Sequence, residues 1–356
     1  MTILYFIALL VVLIWVHELG HFAAAKLFRI RVDEFNIGFG PSIASFTDGQ
    51  TRYGIKPLIL GGYVSLDEAS LAQRSRPVQA AVVLAGIAAN LLFAWLLLSA
   101  GYLHGLPSAV EHDGYGVVTN ARPTIEAVVP GSPAEKSGVL AGDIVTGVAT
   151  AHEEIDFRTF NTDRQAQAVH DFLTAHADES VVLHLDRNGQ PKDFVVRAAE
   201  GVVDGRKAVG VQLNDIGVLK LPLQLALLQG AYVGWQIFGA EAQGLGDFVT
   251  RAFRGSANVG ELSGPIGIVA VGSQFVAQGW AGVINITAII SLNLALINII
   301  PIPGLDGGRL LFIAIEGILR RPISPKLATG LTIAGFVLLV TLMIVVSFHD
   351  IARLIG

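Results

Sequence analysis

No cysteine occurs in the 356-residue sequence, which excludes disulfide frameworks, thiolate zinc sites and cysteine nucleophiles and leaves histidine and carboxylates as possible metal ligands. Charge is also scarce: 15% of the residues are charged, whereas 52% are hydrophobic. This balance indicates a membrane protein. The net charge is only −5 and no long tract of lysine and arginine is present, so nothing supports nucleic acid as a partner.

Long hydrophobic runs are abundant. Crossing a bilayer takes about 20 apolar residues, and such runs are predicted at roughly 2–28, 78–103, 280–300 and 327–348. The first run has neither a basic N-terminal region nor a small-residue cleavage site, so we interpret it as a retained span. The sequence therefore predicts a multi-pass α-helical membrane protein with four transmembrane helices.

Basic residues predict the orientation of these spans. They cluster in the links between spans one and two and between spans three and four, which places both links in the cytoplasm. The residues are Lys26, Arg29, Arg31, Arg74, Arg76, Arg309, Arg320, Arg321 and Lys326. If residues 222–240 of the apolar region 222–252 also crossed the membrane, the second basic link would lie on the wrong side, so we predict an interfacial or re-entrant helix there.

The acidic stretch between the second and third spans is predicted to be a soluble domain outside the cytoplasm. Its polar and apolar residues alternate, and glycine and proline punctuate them. The expected order is strand, short helix, strand, longer helix and two strands. These elements are Thr124–Val129, Pro133–Gly138, Asp143–Val148, Arg164–His176, Ser180–Asp186 and Asp193–Ala198.

The first span contains His17-Glu18-Leu19-Gly20-His21. Residues four apart share one face of a helix, so both imidazoles can bind one zinc ion while Glu18 is placed to take a proton from the attacking water. A polar patch at a helix end is the alternative. However, burying three ionisable groups in an apolar span is costly, and such groups usually mark function.

Catalytic zinc usually has three protein ligands, and Asp306 is the candidate for the third. It follows Pro301 and Pro303 at the cytoplasmic end of the third span, and glycines follow it. The prolines interrupt the helix and the glycines free the chain, so the carboxylate can turn inward. An aspartate that caps the next helix is the alternative.

Taken together, the motifs resemble those of bacterial site-2 proteases, in particular the regulator of sigma-E protease group. The matching segments occur in the family's order: His17-Glu18-Leu19-Gly20-His21, Gly38-Phe39-Gly40-Pro41, Gly61-Gly62-Tyr63-Val64, Gly264-Pro265-Ile266, Asn298 with Pro301 and Pro303, and Leu305-Asp306-Gly307-Gly308. The resemblance implies a zinc ion bound by His17, His21 and Asp306, Glu18 as general base, and intramembrane hydrolysis of single-pass transmembrane proteins such as anti-sigma factors or signal-peptide remnants.

The resemblance also implies that Asn298 contacts the substrate backbone or stabilises the oxyanion; satisfying carbonyls freed by the prolines is the alternative. Residues 33–66 resemble a membrane-associated β-hairpin region in which Gly61 and Gly62 form a permissive site for an added substrate strand; an ordinary cytoplasmic loop is the alternative. From their position, Gly264 and Pro265 are predicted to gate the site. The family usually has proline after Gly86, and we interpret Asn90, four residues after that glycine, as a helix-packing residue.

Residues 126–145 resemble part of a PDZ domain. Three roles stay open: a steric filter against bulky substrates, a site for a substrate C-terminus, or a structural lid. The predicted segments are 1–30 (first span), 31–77 (β-hairpin region), 78–104 (second span), 107–215 (PDZ-like domain), 216–279 (interfacial helix and gate), 280–308 (third span), 309–326 (cytoplasmic loop) and 327–349 (fourth span).

The expected location is a bacterial cytoplasmic membrane, with the active site toward the cytoplasm. A membrane PDZ scaffold with a non-catalytic metal site is the main rival hypothesis, and a zinc transporter is the second. The transporter would need further polar groups along a path through the spans, and none is evident in the sequence.

Overall fold

The structure is a computed structural model and describes residues 2–112, 114–158, 164–203, 205–256, 264–277 and 279–355. The chain divides into two compact units. The first comprises 1–98, 230–276 and 283–356, and the second comprises 99–229 and 277–282. Residues 257–263 and 278 of the predicted gate segment lie outside the described residues, as does the side chain of Pro265.

Four strands and a short helix lie between the first two long helices. In chain order, these elements and the two long helices are α1 (Thr2–Leu27), β1 (Val32–Phe39), β2 (Ala44–Asp48), β3 (Thr51–Ile55), β4 (Leu58–Leu66), α2 (Glu68–Ala72) and α3 (Arg76–His104). The long helix α3 thus begins two residues before the predicted span.

Strands dominate the middle of the chain. The elements there are β5 (Leu106–Ala109), β6 (Thr119–Val128), α4 (Pro133–Ser137), β7 (Ile144–Ala149), β8 (Glu154–Asp156), α5 (Gln165–Ala175), β9 (Ser180–Arg187), β10 (Gln190–Arg197), β11 (Ala199–Val203), β12 (Arg206–Ala208) and β13 (Val211–Leu219). The remainder is helical: α6 (Leu223–Phe253), α7 (Pro265–Ala277), α8 (Trp280–Ile299), α9 (Asp306–Leu319) and α10 (Pro325–Ile355).

Four helices among the described residues are long and apolar enough to cross a membrane, in agreement with the number of predicted spans. They are Leu4–Leu27, Arg76–His104, Trp280–Ile299 and Pro325–Ala352. Only 11% of the apolar window of the last helix is buried inside the protein. Its exposed side chains include Phe336 and Leu338, and such a surface needs lipid as its solvent. The chain is therefore a membrane protein.

Among the described residues, the helices of the first unit pack through three apolar clusters. Phe6, Leu9 and Leu13 of α1 pack against Ile286 and Ile290 of α8, with side chains of α7 at the edge. A second cluster joins the end of α1 to α3 and the β-strands. In the third, Val233, Ile237 and Phe238 of α6 pack against α3 and α8. Segment 222–252 is thus a continuous helix in contact with two candidate spans; its predicted interfacial location stays a prediction.

The region predicted to be a β-hairpin forms a four-stranded sheet in the order β2-β3-β1-β4. Strands β2 and β3 make the hairpin, β1 and β3 are parallel, and β1 and β4 are antiparallel. Strand β4, which contains Gly61 and Gly62, is at the end of this order. In the part of the chain that the structure describes, its outer edge has no second strand partner.

The second unit contains a sheet in the order β10-β9-β7-β6-β13-β5, with β8 beside β7. Its core is formed by inward-facing residues such as Ile125, Val148, Phe172 and Leu183. The two helices and four strands expected from the sequence are all present, within a few residues of the predicted bounds at most ends. Strand β6 lies in the interior of this sheet, between β7 and β13.

Candidate metal centre

The two histidines of the first-span motif lie one turn apart on α1. They are 8% and 9% exposed, and their ring centroids are 4.7 Å apart. The Nε2 atoms of His17 and His21 are separated by 3.1 Å, so both nitrogens point at the same place. Helical spacing alone explains this convergence, since residues i and i+4 share a face.

Asp306 is the first residue of α9 and brings a carboxylate to the same place. Its Oδ2 atom lies 3.0 Å from Nε2 of His17 and 3.2 Å from Nε2 of His21. The chain turns sharply between α8 and α9, and an added Cβ at Gly307 would lie 2.2 Å from the carbonyl oxygen of Ile300. The glycine therefore permits a close backbone approach that positions Asp306.

The carboxyl group of Asp306 is of a kind that binds zinc in proteins. Its Oδ2 atom is buried and has no hydrogen-bond partner of good geometry among the described residues.

These three atoms fit a zinc ion. Ligand atoms about 2.0–2.1 Å from a tetrahedral zinc lie about 3.3 Å from one another, close to the observed 3.0–3.2 Å. His21 Nδ1 lies 2.9 Å from the carbonyl oxygen of Val82, to which it donates, so Nε2 of the neutral ring carries a lone pair. Three electron-rich atoms converge, and a cation at their centre relieves their repulsion.

Glu18 lies beside this cluster and is held by β4. Its Oε2 atom accepts a 2.8 Å hydrogen bond from the backbone N–H of Val64. Glu18 also lines a cavity of about 250 Å³ together with His17, Asp306 and Asn298. The predicted general base and the predicted substrate-contacting amide are thus brought to one cavity beside the candidate metal ligands.

The predicted substrate and gating residues lie elsewhere. Among the described residues, the lining of that cavity does not include Gly61, Gly62 or Gly264. Gly61 and Gly62 are buried in β4, where Gly62 pairs with Ile37. Gly264 precedes α7, and a Cβ on it would lie 2.7 Å from Oδ2 of Asp350 in α10.

Two partners of the cluster were not identified from the sequence. The Val64 amide and the Val82 carbonyl are backbone groups, so no residue type signals their role. Asn90, interpreted as a packing residue, lines the same cavity. A polar residue within an apolar span was the only signal that marked Asn90.

Comparisons with known proteins relate the chain to a peptidase family. The sequence matches Peptidase family M50 over residues 5–342. A protein of Nostoc sp., provisionally named a zinc metalloprotease, is 31% identical over 99% of this chain and 97% of its own length. The chloroplastic membrane metalloprotease ARASP of Arabidopsis thaliana is 29% identical over 98% of this chain and 78% of its own length. A Rhizobium meliloti protein with a similarly provisional name is 29% identical over 100% and 97%.

These findings define a membrane metalloprotease that uses zinc. The chain belongs to peptidase family M50, the family of the site-2 proteases.

Proposed function

We propose that this protein is an intramembrane endopeptidase that cleaves single-pass transmembrane proteins as a step of regulated intramembrane proteolysis. The observation that carries the proposal is the convergence of His17, His21 and Asp306 between helices of membrane-spanning length, with Glu18 in the same cavity. A peptidase site on candidate membrane spans reaches peptide bonds that lie in or beside the bilayer. A membrane-embedded substrate therefore suits it better than a water-soluble one.

In the proposed mechanism, His17, His21 and Asp306 hold the zinc ion. Zinc, when bound there, polarises a water molecule and the scissile carbonyl. Glu18 accepts the proton of the attacking water and later delivers it to the leaving amine. The hydrogen bond from Val64 holds one carboxylate oxygen in place and leaves the other for the proton transfer.

Asn298 is proposed to act on the substrate in the same cavity. Its side chain is an uncharged hydrogen-bond donor, and it lines the cavity beside Asp306 and Glu18. Such a donor can bind the substrate backbone or stabilise the charge that develops on the carbonyl oxygen without competing for the metal. This placement supports a contact with substrate more than a purely structural role at the end of α8.

The outer edge of β4 is proposed to bind the substrate as an added strand. A helical substrate hides its peptide bonds in its own hydrogen bonds, so it must be extended before hydrolysis. Along a strand, the backbone N–H and C=O groups of successive residues point to opposite edges, so those of Gly62 and Val64 face the same edge. The N–H of Val64 already points at Glu18. A strand added there would run past the general base.

The soluble unit is proposed to be a PDZ-like domain that receives an extended segment of the substrate, including a new C-terminus. A cavity of about 750 Å³ lies between α5 and the segment from β12 to β13. Strand β13 pairs with β6 on one side, whereas β5 pairs only with residues 216–219. Among the described residues, the second edge of Val211–Asn214 therefore has no strand partner. A domain acting only as a steric filter would not need such a groove.

The location is proposed to be a bacterial cytoplasmic membrane with the metal centre toward the cytoplasm. Basic residues follow α1 and flank α9, as the positive-inside rule expects for cytoplasmic links. Arg309 pairs with Glu68, and Arg76 pairs with Glu316, so some of these charges also join α9 to α2 and α3. By this topology the PDZ-like domain is extracytoplasmic.

The substrate class is tested with full-length protein and a labelled single-span substrate in vesicles. We expect cleavage within or beside the hydrophobic segment, located by mass spectrometry. A soluble peptide with the same scissile sequence but no hydrophobic segment should react at least about 100-fold more slowly, because remote binding energy is lost. Equal rates on both substrates, or cuts far from the membrane, would contradict the proposal.

Gly86 lies where α3 contacts the two imidazoles, so a larger residue at this position should disturb the rings. A Cβ at this position would lie 2.3 Å from His21 Nε2 and 2.8 Å from His17 Cε1. We expect Gly86→Ala to displace a ring and lower the zinc content of the purified protein to less than about one tenth. In the control Gly330→Ala, the added Cβ meets nothing within 4 Å, so zinc should be unchanged. Full zinc in Gly86→Ala would show that the rings are not held as described.

A further inference from the structure

Asn90 is fully buried on α3, and its side chain faces the metal centre. Its Nδ2 atom lies 3.5 Å from Nδ1 of His17. Its Oδ1 atom is buried and has no hydrogen-bond partner among the described residues. Packing between helices is served by the backbone instead, since the Asn90 carbonyl oxygen accepts a 2.8 Å bond from the Ser291 hydroxyl on α8. Helix packing therefore does not explain the amide.

The chemistry of a metal-bound imidazole supplies an explanation. If Nε2 of His17 gives its lone pair to zinc, Nδ1 must carry the proton and needs an acceptor. The two ends of an asparagine amide are interchangeable by a half-turn, and the hydrogen-bond network decides between them. With the amide turned, Oδ1 faces Nδ1–H of His17. The buried acceptor without a partner and the imidazole donor then satisfy each other.

The other histidine already shows the same arrangement. His21 Nδ1 lies 2.9 Å from the carbonyl oxygen of Val82, which fixes its tautomer. Metal-binding histidines generally donate their second N–H to a carbonyl or carboxylate, which orients the ring and makes it a better ligand. Both acceptors, Val82 and Asn90, are on α3, so one helix orients both rings.

We infer that Asn90 is a positioning residue that accepts the Nδ1–H of His17 and fixes this ring as a zinc ligand. The inference rests on the proposed ligand set, because it requires His17 to bind zinc through Nε2. Asn90 touches neither the metal nor the reacting atoms in this arrangement. Its effect is therefore on zinc affinity and on the geometry of the centre.

The test is the zinc affinity of full-length variants in detergent, measured by competition with a chelator. Asn90→Leu keeps the size of the side chain and removes the acceptor, and we expect affinity to fall about 10- to 100-fold. Asn90→Asp keeps an acceptor, and we expect its affinity to stay within about threefold of the wild type. In cobalt-substituted protein, the visible absorption bands should change in Asn90→Leu and stay close to those of the wild type in Asn90→Asp.

Two controls separate the possible failures. Ser291→Ala removes the hydroxyl that contacts the Asn90 carbonyl, so it disturbs helix packing and should leave zinc affinity unchanged. His17→Ala should lose zinc; if it does not, the proposed ligand set is wrong.

If His17→Ala loses zinc but Asn90→Leu binds it as the wild type does, the inference about Asn90 is overturned. Equal losses in Asn90→Leu and Asn90→Asp would overturn it as well. If Asn90→Leu does not fold, Asn90→Asp alone decides: wild-type affinity and cobalt spectrum support the inference, and their loss contradicts it.

Discussion

Replacing Asp306 by alanine should leave the purified protein without stoichiometric zinc. Asp306 supplies the only carboxylate of the three-residue cluster, and its Oδ2 atom lies within 3.2 Å of both imidazole nitrogens. Loss of a residue that only hydrogen-bonds to a metal ligand costs about 10- to 100-fold in metal affinity, so loss of a direct ligand should cost more than about 100-fold. Proteolysis should disappear with the metal. Zinc per chain after dialysis against a chelator measures the effect.

A matched control for Asp306→Ala is Glu68→Ala. Glu68 is an exposed carboxylate that pairs with Arg309, three residues after Asp306, so its loss disturbs the same helix without touching the cluster. This variant should keep its zinc. Wild-type zinc affinity in Asp306→Ala would mean that another group completes the site and that Asp306 only begins α9.

Replacing Glu18 by glutamine should also abolish activity, but the variant should keep its zinc. Glutamine has nearly the same shape, and its amide oxygen can still accept the hydrogen bond from Val64. It cannot take a proton from water. General acid–base catalysis contributes about 10²- to 10⁴-fold, so kcat on a single-span substrate should fall by that factor. Zinc content and kcat are measured on the same preparation.

Glu34→Gln provides the comparison for Glu18→Gln. Glu34 lies on β1, in the sheet that positions β4, and accepts a hydrogen bond from Tyr63. The substitution makes the same chemical change at a residue that does not line the cavity, and kcat should change less than about threefold. A Glu18→Gln variant as active as the wild type would exclude Glu18 as the base.

The histidine pair shows what a sequence can predict about this site. His17 and His21 converge because a helix places residues i and i+4 on one face, and that geometry is local. Asp306 is separated from them by more than 280 residues. Asp306 could be predicted as a candidate ligand only because catalytic zinc usually has three protein ligands and because the nearby prolines and glycines mark a break in the helix. The sequence therefore predicts which side chains come together better than the distances between them.

The strands show where sequence patterns fail. Hydropathy predicts four spans, but alternation predicts only four of the nine strands that the structure describes in the second unit, namely β6, β7, β9 and β10. No local pattern shows that β1 pairs in parallel with β3, or that β13 returns to pair with β6. Long-range pairing depends on the whole chain. For the same reason the Val64 amide could not be assigned to Glu18, because every residue except proline has a backbone N–H.

Asn90 illustrates a further limit. As one amide in a span, it fits helix packing as well as metal chemistry. The structure adds two observations that composition cannot supply. The Oδ1 atom has no hydrogen-bond partner among the described residues, and the amide nitrogen lies 3.5 Å from His17 Nδ1. Both observations are needed to infer a specific role for Asn90.

The most direct test of the metal centre is X-ray absorption at the zinc edge on wild-type protein purified without a histidine tag. We predict one zinc per chain with light-atom ligands at about 2.0–2.1 Å, four-coordinate, of which two are imidazoles. Sulfur is excluded as a protein ligand because the chain has no cysteine and the cluster contains no methionine. Protein without stoichiometric zinc, or a spectrum that requires three or more imidazoles, would contradict a centre formed by His17, His21 and Asp306.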